Sequence, residues 1–504
     1  MLRMVKTNYG FVRGIPAADP RITSFKGIPF AAPPIGDLRW KAPMPSPKWT
    51  GIKDCIEFAP ISMQNIPGEN PDEFYSKEWN VDPAIPMDED CLYLNIWTPA
   101  VSESDNLPVY VWFFGGGLQY GNTAEMEFDG ERVARRGIIV VTVNYRINVF
   151  GFMAHPELTK ENPTAPTNFG NLDQQFGLRW TYENIKFFGG NPENITIGGQ
   201  SAGGGSVLTQ LNCPENKKYI KKAVIESGMF LNPYEDSPYV TLEEAEKQGE
   251  AFFSFLGIKN LEDARSLPAS YIRDKNAEGG FFWWTATDGV FQKDYYLKNF
   301  YSGNILEVPL LLGYTSNEFY QNPDVSNLEE LRELSVRRFG KYSNEFLSLL
   351  ESSTRCFQEV LQKGSVNTIK LAILAALERK ELIGMNMPSY LYEFGPYIPG
   401  DDNVGAYHSS DLWFFFETLA KSSRPFNGMH YDLARNMCNY LSNFIRNGNP
   451  NGFDNHNMMV KWEPYTLHNP VYMSFSNKIE LLNSNKNDIE SFFINRFGTD
   501  ENLN

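Results

Sequence analysis

The sequence predicts an α/β protein built on a large, mostly parallel central β-sheet, and three observations support this prediction. Short apolar segments alternate along the chain with amphipathic segments of helical periodicity, which is typical of βαβ units. The apolar segments are rich in Val, Ile, Leu and aromatic residues, as expected of strands buried on both faces. No internal repeat or long Gly/Ser/Pro linker divides the chain, so a single domain over 1–504 is expected.

Strands are predicted where the apolar segments lie, at 109–115, 137–145, 194–199, 222–227, 308–313 and 389–394. The first hundred residues are rich in proline and turn residues. We expect them to form loops and antiparallel edge strands that wrap the same core.

Helices are predicted between these strands. The segment 173–190 ends on paired glycines, a helix-stop signal. The segment 241–257 opens with Thr241 and Glu244 at the spacing of a capping box. Further helices are predicted at 328–340, 368–384 and 432–448, and the region of about 230–385 is expected to hold helical insertions around the pocket.

Composition excludes several classes of protein. The chain has 504 residues, 42% of them hydrophobic and 21% charged, which describes a globular protein. Its net charge of −16 argues against nucleic acid or an anionic membrane surface as the main partner. The five cysteines are widely spaced and include no CxxC pair, so neither a disulfide scaffold nor a metal site is expected. No signal-like or 18-residue apolar segment is visible, and a cytoplasmic location is expected.

The glycine-rich stretch TIGGQSAGGGSV (196–207) permits three interpretations. A phosphate-binding P-loop requires a lysine, and none lies between Thr196 and Gln210. A dinucleotide-binding fingerprint could use Gly203 and Gly205, but its third glycine would fall on Leu208. Both phosphate-binding interpretations are therefore disfavoured.

The third interpretation is the pentapeptide G-x-S-x-G, which centres on Ser201 between Gly199 and Gly203. It follows a predicted strand and precedes a helix-competent segment. This is the context in which a nucleophilic serine sits on a strained turn with its hydroxyl exposed. Small neighbours are needed because the turn is tight and the next helix approaches the sheet closely.

A nucleophilic serine requires a general base, and the chain offers five histidines. The order of such triads in α/β-hydrolase sheets is serine, acid, histidine, which disfavours His155. His430, His456 and His468 lie in segments typical of capping or surface positions. His408 follows the predicted strand at 389–394 and is the favoured base, with packing on Trp413 as the alternative role.

The acid that orients the base should lie between Ser201 and His408. Glu318 comes just after the predicted strand at 308–313, at the sheet edge where catalytic groups gather. Asp288, in a predicted turn, and Asp411, three residues after His408, remain as alternatives.

An acyl-transfer site also needs hydrogen-bond donors for the developing oxyanion. The segment 111–122 ends a predicted strand in three glycines, whose N–H groups could turn toward a ligand together with that of Ala202. A simple turn is the alternative.

With these parts assembled, the chain resembles the type-B carboxylesterases, the cholinesterase/carboxylesterase branch of the α/β-hydrolases, and in particular carboxylesterases of the bacterial type. The resemblance extends from about Gly10 to the C-terminal region. The segments that carry it are FKGIPFAAPPIGDLRWKAP (25–43), EDCLYLNIWTP (89–99), NYRINVFGF (144–152), NFGNLDQQFGLRWTYENIKFFGGNPENITIGGQSAGG (168–204) and GNPNG (448–452).

The resemblance implies an α/β-hydrolase fold and two-step ester hydrolysis on a small-molecule ester, with no cofactor or metal, by a monomer or homodimer. It implies Ser201 as nucleophile, Glu318 as acid and His408 as base. The implied oxyanion donors are Gly116, Gly117 and Ala202.

Four positions depart from the family pattern. Phe114 stands where many members have His or Tyr, and Phe319 follows the acid where Gly is usual. Gln200 replaces the common Glu before the nucleophile, which weakens the case for a cationic choline substrate. Cys91 matches the position of the family's first disulfide, but the partner region 58–64 has no cysteine, which fits a reducing compartment.

Pocket residues are expected mainly in the aromatic run 281–284, where bulky rings would favour short-chain or aryl esters. Four consecutive aromatic side chains cannot all face one way, so part of the run must be core. The expected lining residues are Leu118, Phe281, Phe282, Trp284, Phe319 and Trp413. Alternative functions are hydrolysis of amides or thioesters by the same triad and a non-catalytic adhesion or scaffold role.

Overall fold

A computed structural model describes residues 1–65, 74–78, 84–235, 240–351, 356–452 and 459–496. Its main feature is a central β-sheet, which has eleven strands in the described ranges. These strands, labelled here in chain order, are β1 (Ile15–Pro16), β2 (Thr23–Pro29), β3 (Tyr93–Thr98), β4 (Leu107–Phe113), β5 (Ile139–Val143), β6 (Gly190–Gln200), β7 (Lys222–Glu226), β8 (Leu310–Thr315), β9 (Ser389–Phe394), β10 (Val471–Phe475) and β11 (Ile479–Asn483).

The predicted mostly parallel sheet is confirmed. The strands lie in the spatial order β11-β10-β9-β8-β7-β6-β4-β5-β3-β2-β1. All pairs from β10 across to β5 are parallel, and antiparallel pairing occurs only toward the two edges among the described strands. β5, β7 and β8 are buried along their whole length, which explains the apolar run that each of them contains.

All six predicted strands are present, but β6 is longer than predicted. It begins at Gly190, which pairs with Leu107 of β4 before the register shifts. Except for the buried Gly190, the added residues at the start are partly or fully exposed, and no apolar pattern marks them in the sequence.

The described α-helices are α1 (Phe74–Glu78), α2 (Glu131–Ala134), α3 (Asn148–Phe152), α4 (Pro156–Glu161), α5 (Phe169–Asn184), α6 (Ala202–Leu211), α7 (Leu242–Leu256), α8 (Leu261–Ser266), α9 (Ala269–Glu278), α10 (Tyr296–Tyr301), α11 (Leu328–Phe339), α12 (Ser343–Glu351), α13 (Phe357–Lys363), α14 (Thr368–Leu382), α15 (Leu412–Phe415), α16 (Gly428–Asn447) and α17 (Asp488–Ile494). In the part of the chain that the structure describes, none of them is long and apolar enough to cross a membrane.

The predicted capping box at the start of α7 is confirmed, because Thr241 and Glu244 exchange side-chain-to-backbone hydrogen bonds. The predicted bounds of α5 are wrong at both ends. Asn168, with φ of 58°, turns the chain into the helix four residues earlier than predicted. At the other end the last turn tightens into a 3₁₀ helix over Ile185–Phe188 before Gly189.

Helices cover both faces of the sheet. Gly177 of α5 lies against Val143 on one face, where a Cβ on the glycine would come within 2.5 Å of a valine methyl. On the other face, Tyr110 of β4 packs against Phe416, just after α15. The parallel strands are therefore enclosed between two helical layers.

The carboxyl ends of β6, β7, β8 and β9 meet at one edge of the sheet, because these neighbouring strands are parallel. The chain leaves them at Gln200, Glu226, Thr315 and Phe394. The segments that follow carry Ser201, Glu318 and His408. The topology therefore brings the predicted nucleophile, acid and base to the same edge.

Candidate active site

Ser201 occupies a strained turn between β6 and α6. Its φ of 56° and ψ of −127° lie outside the regions that L-residues favour. A Cβ on Gly199 would lie 2.4 Å from the Gly203 oxygen, and one on Gly203 would lie 2.2 Å from the Phe113 oxygen. Glycine is thus required on both sides of the serine, as the pentapeptide predicts.

The turn is held from the neighbouring strand. The Ser201 N–H donates to the Glu226 carbonyl at the end of β7, at 2.8 Å. The Ser201 carbonyl accepts from the N–H of Gly205 at 3.0 Å, which starts the hydrogen bonding of α6. Ser201 itself remains partly exposed, so its hydroxyl is accessible.

Glu318 and His408 lie in direct contact. The His408 Nδ1 atom is 2.6 Å from Glu318 Oε2, and both side chains are buried. The other carboxylate oxygen accepts from the Ser227 hydroxyl at 2.5 Å and from the Thr315 N–H at 3.1 Å. Both oxygens of Glu318 therefore lie within hydrogen-bond distance of neighbouring polar groups.

The loops that carry acid and base are joined. The Asn317 N–H donates to the Ala406 carbonyl at 3.1 Å, and the Ala406 N–H donates to the Asn317 side chain at 3.0 Å. Asn317 directly precedes Glu318, and Ala406 lies two residues before His408. The two hydrogen bonds therefore hold together the backbone segments from which the acid and the base extend.

The second ring nitrogen of His408 faces the residue before the nucleophile. His408 Nε2 is 3.2 Å from the side-chain amide nitrogen of Gln200. Among the residues that the structure describes, no hydrogen bond joins the Ser201 hydroxyl to this ring. The sequence indicated the change of charge at Gln200 but not this contact.

Aromatic rings flank the base. The Phe319 ring lies 4.5 Å from that of His408 and the Phe230 ring lies 6.4 Å from it, centre to centre. Trp413 is buried in α15. The predicted residue Phe319 thus lies beside the base, and Phe230 is an addition that no sequence signal marked.

The glycine run after β4 lies against the nucleophile. A Cβ on Gly115 would come within 3.1 Å of the Ser201 Cβ. Gly116 and Gly117 have φ of 101° and 62°, which favour glycine. Within the described ranges, the N–H groups of Gly116, Gly117 and Ala202 donate to no other protein group. They remain available to a ligand.

Tyr145 and Asn148 hold the loop that carries these glycines in place. The Phe114 ring stacks on Tyr145 at 4.2 Å, and its carbonyl accepts from the Tyr145 hydroxyl at 2.6 Å. Leu118 is buried with φ of 59°, and its carbonyl accepts from the Asn148 N–H. The phenylalanine that departs from the family pattern therefore serves as packing.

The aromatic run 281–284 alternates between two environments, as its composition requires. Phe281 stacks on Trp283, which is buried, and Phe282 stacks on Trp284. Phe282 is 59% exposed. Phe281 and Phe282 line a cavity of about 210 Å³ together with polar side chains that include Gln119.

Two further buried carboxyl groups lie behind the base. Neither oxygen of Glu226 has a protein partner in the described part of the chain. Burial, with the nearby Asp411, raises the pKa of Glu226 well above its usual value. Asp411 accepts from the Tyr392 hydroxyl at 2.7 Å, and burial raises the pKa of Asp411 to about 6.

The alternative acids and bases have other partners. Asp288 accepts from Asn168 and from the backbone of its own turn. His155 caps α4 and stacks on Phe253, and His430 takes part in the capping box of α16. His468 is exposed in a bend, and His456 lies outside the described residues.

Cys91 is a buried thiol that accepts a hydrogen bond from the Ser62 hydroxyl at 3.3 Å. Burial raises the pKa of Cys91 to about 12, so the thiol is unreactive. Among the described residues, no group of three or more His, Cys, Asp or Glu side chains could hold a metal ion.

These features agree with comparisons to known proteins. The chain belongs to the carboxylesterase family, whose sequence profile matches residues 2–492. This confirms the predicted family.

The relatives define the class further. The chain is 30% identical to a cholinesterase of Mus musculus over 97% of this chain and 84% of that protein. It is 30% identical to a para-nitrobenzyl esterase of Bacillus subtilis over 92% of both. A solved PNB esterase structure superimposes with a TM-score of 0.80, at 27% identity, over 97% of this chain and 99% of that one. The fold is the predicted α/β-hydrolase fold, and the protein is a carboxylic ester hydrolase.

Proposed function

We propose that the protein is a serine carboxylesterase in which Ser201 is the nucleophile, His408 the general base and Glu318 the acid that orients it. The observation that carries this proposal is the 2.6 Å contact between His408 Nδ1 and Glu318 Oε2, beside a strained, partly exposed serine. In this proposal Nδ1 carries the proton that it donates to Glu318, and Nε2 is the proton acceptor.

The reaction proceeds in two steps. His408 takes the proton of Ser201 as its oxygen attacks the ester carbonyl, and the oxyanion accepts hydrogen bonds from Gly116, Gly117 and Ala202. The alcohol leaves with a proton from His408. Water, deprotonated by the same histidine, then attacks the acyl-enzyme and releases the acid.

The proposed substrates are short-chain or aryl esters. The Phe319 ring against His408 supports this proposal, because a bulky ring beside the base limits the room for a long acyl chain. A series of p-nitrophenyl esters is expected to show highest kcat/KM at short acyl chains. A maximum at decanoyl or longer would contradict it.

Substitution of the nucleophile tests the function itself. Ser201→Ala is expected to lower kcat by at least about a thousandfold, because it removes the group that forms the acyl-enzyme. Ser254→Ala, on the exposed side of α7, is the matched control and is expected to retain full activity. Undiminished hydrolysis by Ser201→Ala would overturn the proposal.

We also propose that the whole chain forms one domain, because the central sheet takes strands from residue 15 to residue 483. A monomer or homodimer is proposed from the family resemblance. A reducing, cytoplasmic compartment is proposed from Cys91, whose buried thiol bonds to Ser62 at the position of a family disulfide.

A further inference from the structure

The two ring nitrogens of His408 face groups of opposite character. Nδ1 meets the carboxylate of Glu318, so this nitrogen carries the proton. Nε2 then presents a lone pair, and the atom that faces it is the side-chain amide nitrogen of Gln200, at 3.2 Å. Because an N–H donates and a lone pair accepts, the amide bonds to the atom that must receive the serine proton.

We propose that Gln200 is a positioning residue that donates a hydrogen bond to the neutral imidazole of His408 and keeps this base in its proton-accepting form at acid pH. The proposal rests on the proposed function, since it assigns a partner to the proposed base. Gln200 acts through His408 and contacts no reacting atom of the substrate.

The backbone holds Gln200 in this position. It is the last residue of β6, pairs in register with Glu226 of β7, and is only 3% exposed. A Cβ on Gly115 would lie 2.7 Å from the Gln200 carbonyl oxygen and 3.0 Å from its side-chain oxygen. The glycine run beside the nucleophile thus also makes room for the amide.

Whether position 200 carries an amide or a carboxylate determines which protonation state of the His408 ring is stabilised. A carboxylate at position 200 would only accept hydrogen bonds and would stabilise the imidazolium, holding a proton on the base before substrate arrives. The uncharged amide can donate to the neutral ring instead. The base is then ready at lower pH.

Other charged and titratable groups lie around His408, and they are the same in wild type and in variants at position 200. Burial raises the pKa values of Glu226 and Asp411, so both carry less negative charge at acid pH than exposed acids would. The remaining groups near the ring and its loop are Glu318, Tyr392, Tyr75, and the Glu78–Arg424 pair beside Tyr407.

The amide must also release the ring. In the described residues the Ser201 hydroxyl does not bond to His408, so it has to take the place of Gln200 on Nε2 when the reaction begins. Loss of the amide therefore removes a group that competes with the Ser201 hydroxyl for Nε2, and it also removes the hydrogen bond that stabilises the neutral ring. We expect substitutions at position 200 to move the pH dependence more than the plateau rate.

The test is the pH profile of kcat/KM with p-nitrophenyl acetate, from about pH 4.5 to 8.5, for wild type, Gln200→Met and Gln200→Glu. The methionine keeps the side chain's length but has no donor, and the glutamate adds a charge. Relative to wild type, the acid limb is expected to move up by about half a pH unit in Gln200→Met and by one unit or more in Gln200→Glu. Gln362→Glu, exposed on α13, adds the same charge at a distance and is expected to match wild type.

A merely structural role for Gln200 would lower kcat at every pH without moving the acid limb. If kcat/KM falls at the same pH on the acid side in wild type and both variants, the inference is overturned. The pH dependence of inactivation by diethyl p-nitrophenyl phosphate is the second measurement, since it needs only one attack by Ser201. If Gln200→Glu does not fold, Gln200→Met decides alone.

The Ser201→Ala variant separates the two proposals. Coincident limbs together with an inactive Ser201→Ala enzyme would refute only the role of Gln200. An active Ser201→Ala enzyme would refute the proposed function and this inference with it.

Discussion

Glu318 and Glu226 are two buried glutamates at the same edge of the sheet, and their surroundings are opposite. Glu318 accepts from His408, from the Ser227 hydroxyl and from the Thr315 N–H. Glu226 lies at the end of the neighbouring strand, and neither of its oxygens has a protein partner among the described residues. A buried glutamate side chain thus has hydrogen-bond donors around it at position 318 and none among the described residues at position 226.

The comparison teaches that hydrogen-bond donors, rather than burial, distinguish the carboxyl group that contacts the base from the one that does not. Three donors compensate Glu318 for its removal from water, as a charged group that stabilises an imidazolium requires. Burial and the nearby Asp411 raise the pKa of Glu226 well above its usual value. Of the two glutamates, Glu318 is the one in direct contact with His408.

The largest expected effect is on activity, in a matched pair of isosteric substitutions. Glu318→Gln removes the charge beside His408 and is expected to lower kcat by about ten-thousandfold. Glu226→Gln removes an acid whose pKa is raised by burial and which does not contact His408, and kcat/KM is expected to stay within about threefold of wild type. Steady-state kinetics on one ester at pH 7.5 measures both.

Two results would break this contrast. Equal losses in the two variants would mean that Glu226 is charged in the active enzyme. A mild effect of Glu318→Gln would mean that the base is oriented by another group.

The next effect is on stability, at Asp411. Its folded-state pKa is raised to about 6 from an ordinary value of 3.8, so the group favours folding most below pH 4 and loses that contribution as pH rises through 6. Asp411→Asn keeps an acceptor for Tyr392 without the charge. The free energy of unfolding of Asp411→Asn relative to wild type is therefore expected to increase by about 2 kcal/mol from pH 4 to pH 8.

Urea unfolding of both proteins at pH 4, 6 and 8 measures this difference. If the two stability curves run parallel across that range, Asp411 does not titrate with a raised pKa in the folded protein.

The smallest expected effect is on activity at Ser227, whose hydroxyl donates a hydrogen bond to the Glu318 carboxylate. Loss of one hydrogen bond to a charged group is expected to lower kcat/KM by about tenfold. Ser227 has φ of 47°, so Ser227→Gly is compared with Ser227→Ala to separate loss of the hydroxyl from backbone strain. Wild-type kinetics in Ser227→Gly would show that two donors are enough for Glu318.

The parts of the site that the sequence predicted are those with local steric or topological signals. Gly199 and Gly203 mark the turn at Ser201 because no larger residue fits against the carbonyls there. Glu318 and His408 follow apolar strands, whose parallel arrangement brings their ends together.

The parts that the sequence did not predict depend on side-chain directions in three dimensions. The contact between Gln200 and His408 joins residues 208 positions apart, and no motif encodes an amide turned toward a ring. Ser227 and Phe230 follow a strand without any distinguishing pattern. The bounds of α5 were missed because Asn168 begins the helix through a left-handed backbone rather than a capping side chain.

Covalent trapping tests the central claim most directly. Diethyl p-nitrophenyl phosphate is attacked by an activated serine, which forms a phosphorus–oxygen bond and releases p-nitrophenolate. Peptide mass spectrometry is expected to find one diethylphosphoryl group per chain, on Ser201, with almost none in Glu318→Gln over the same time. A label on any other residue, or equal labelling of Ser201 in Glu318→Gln, would contradict the account.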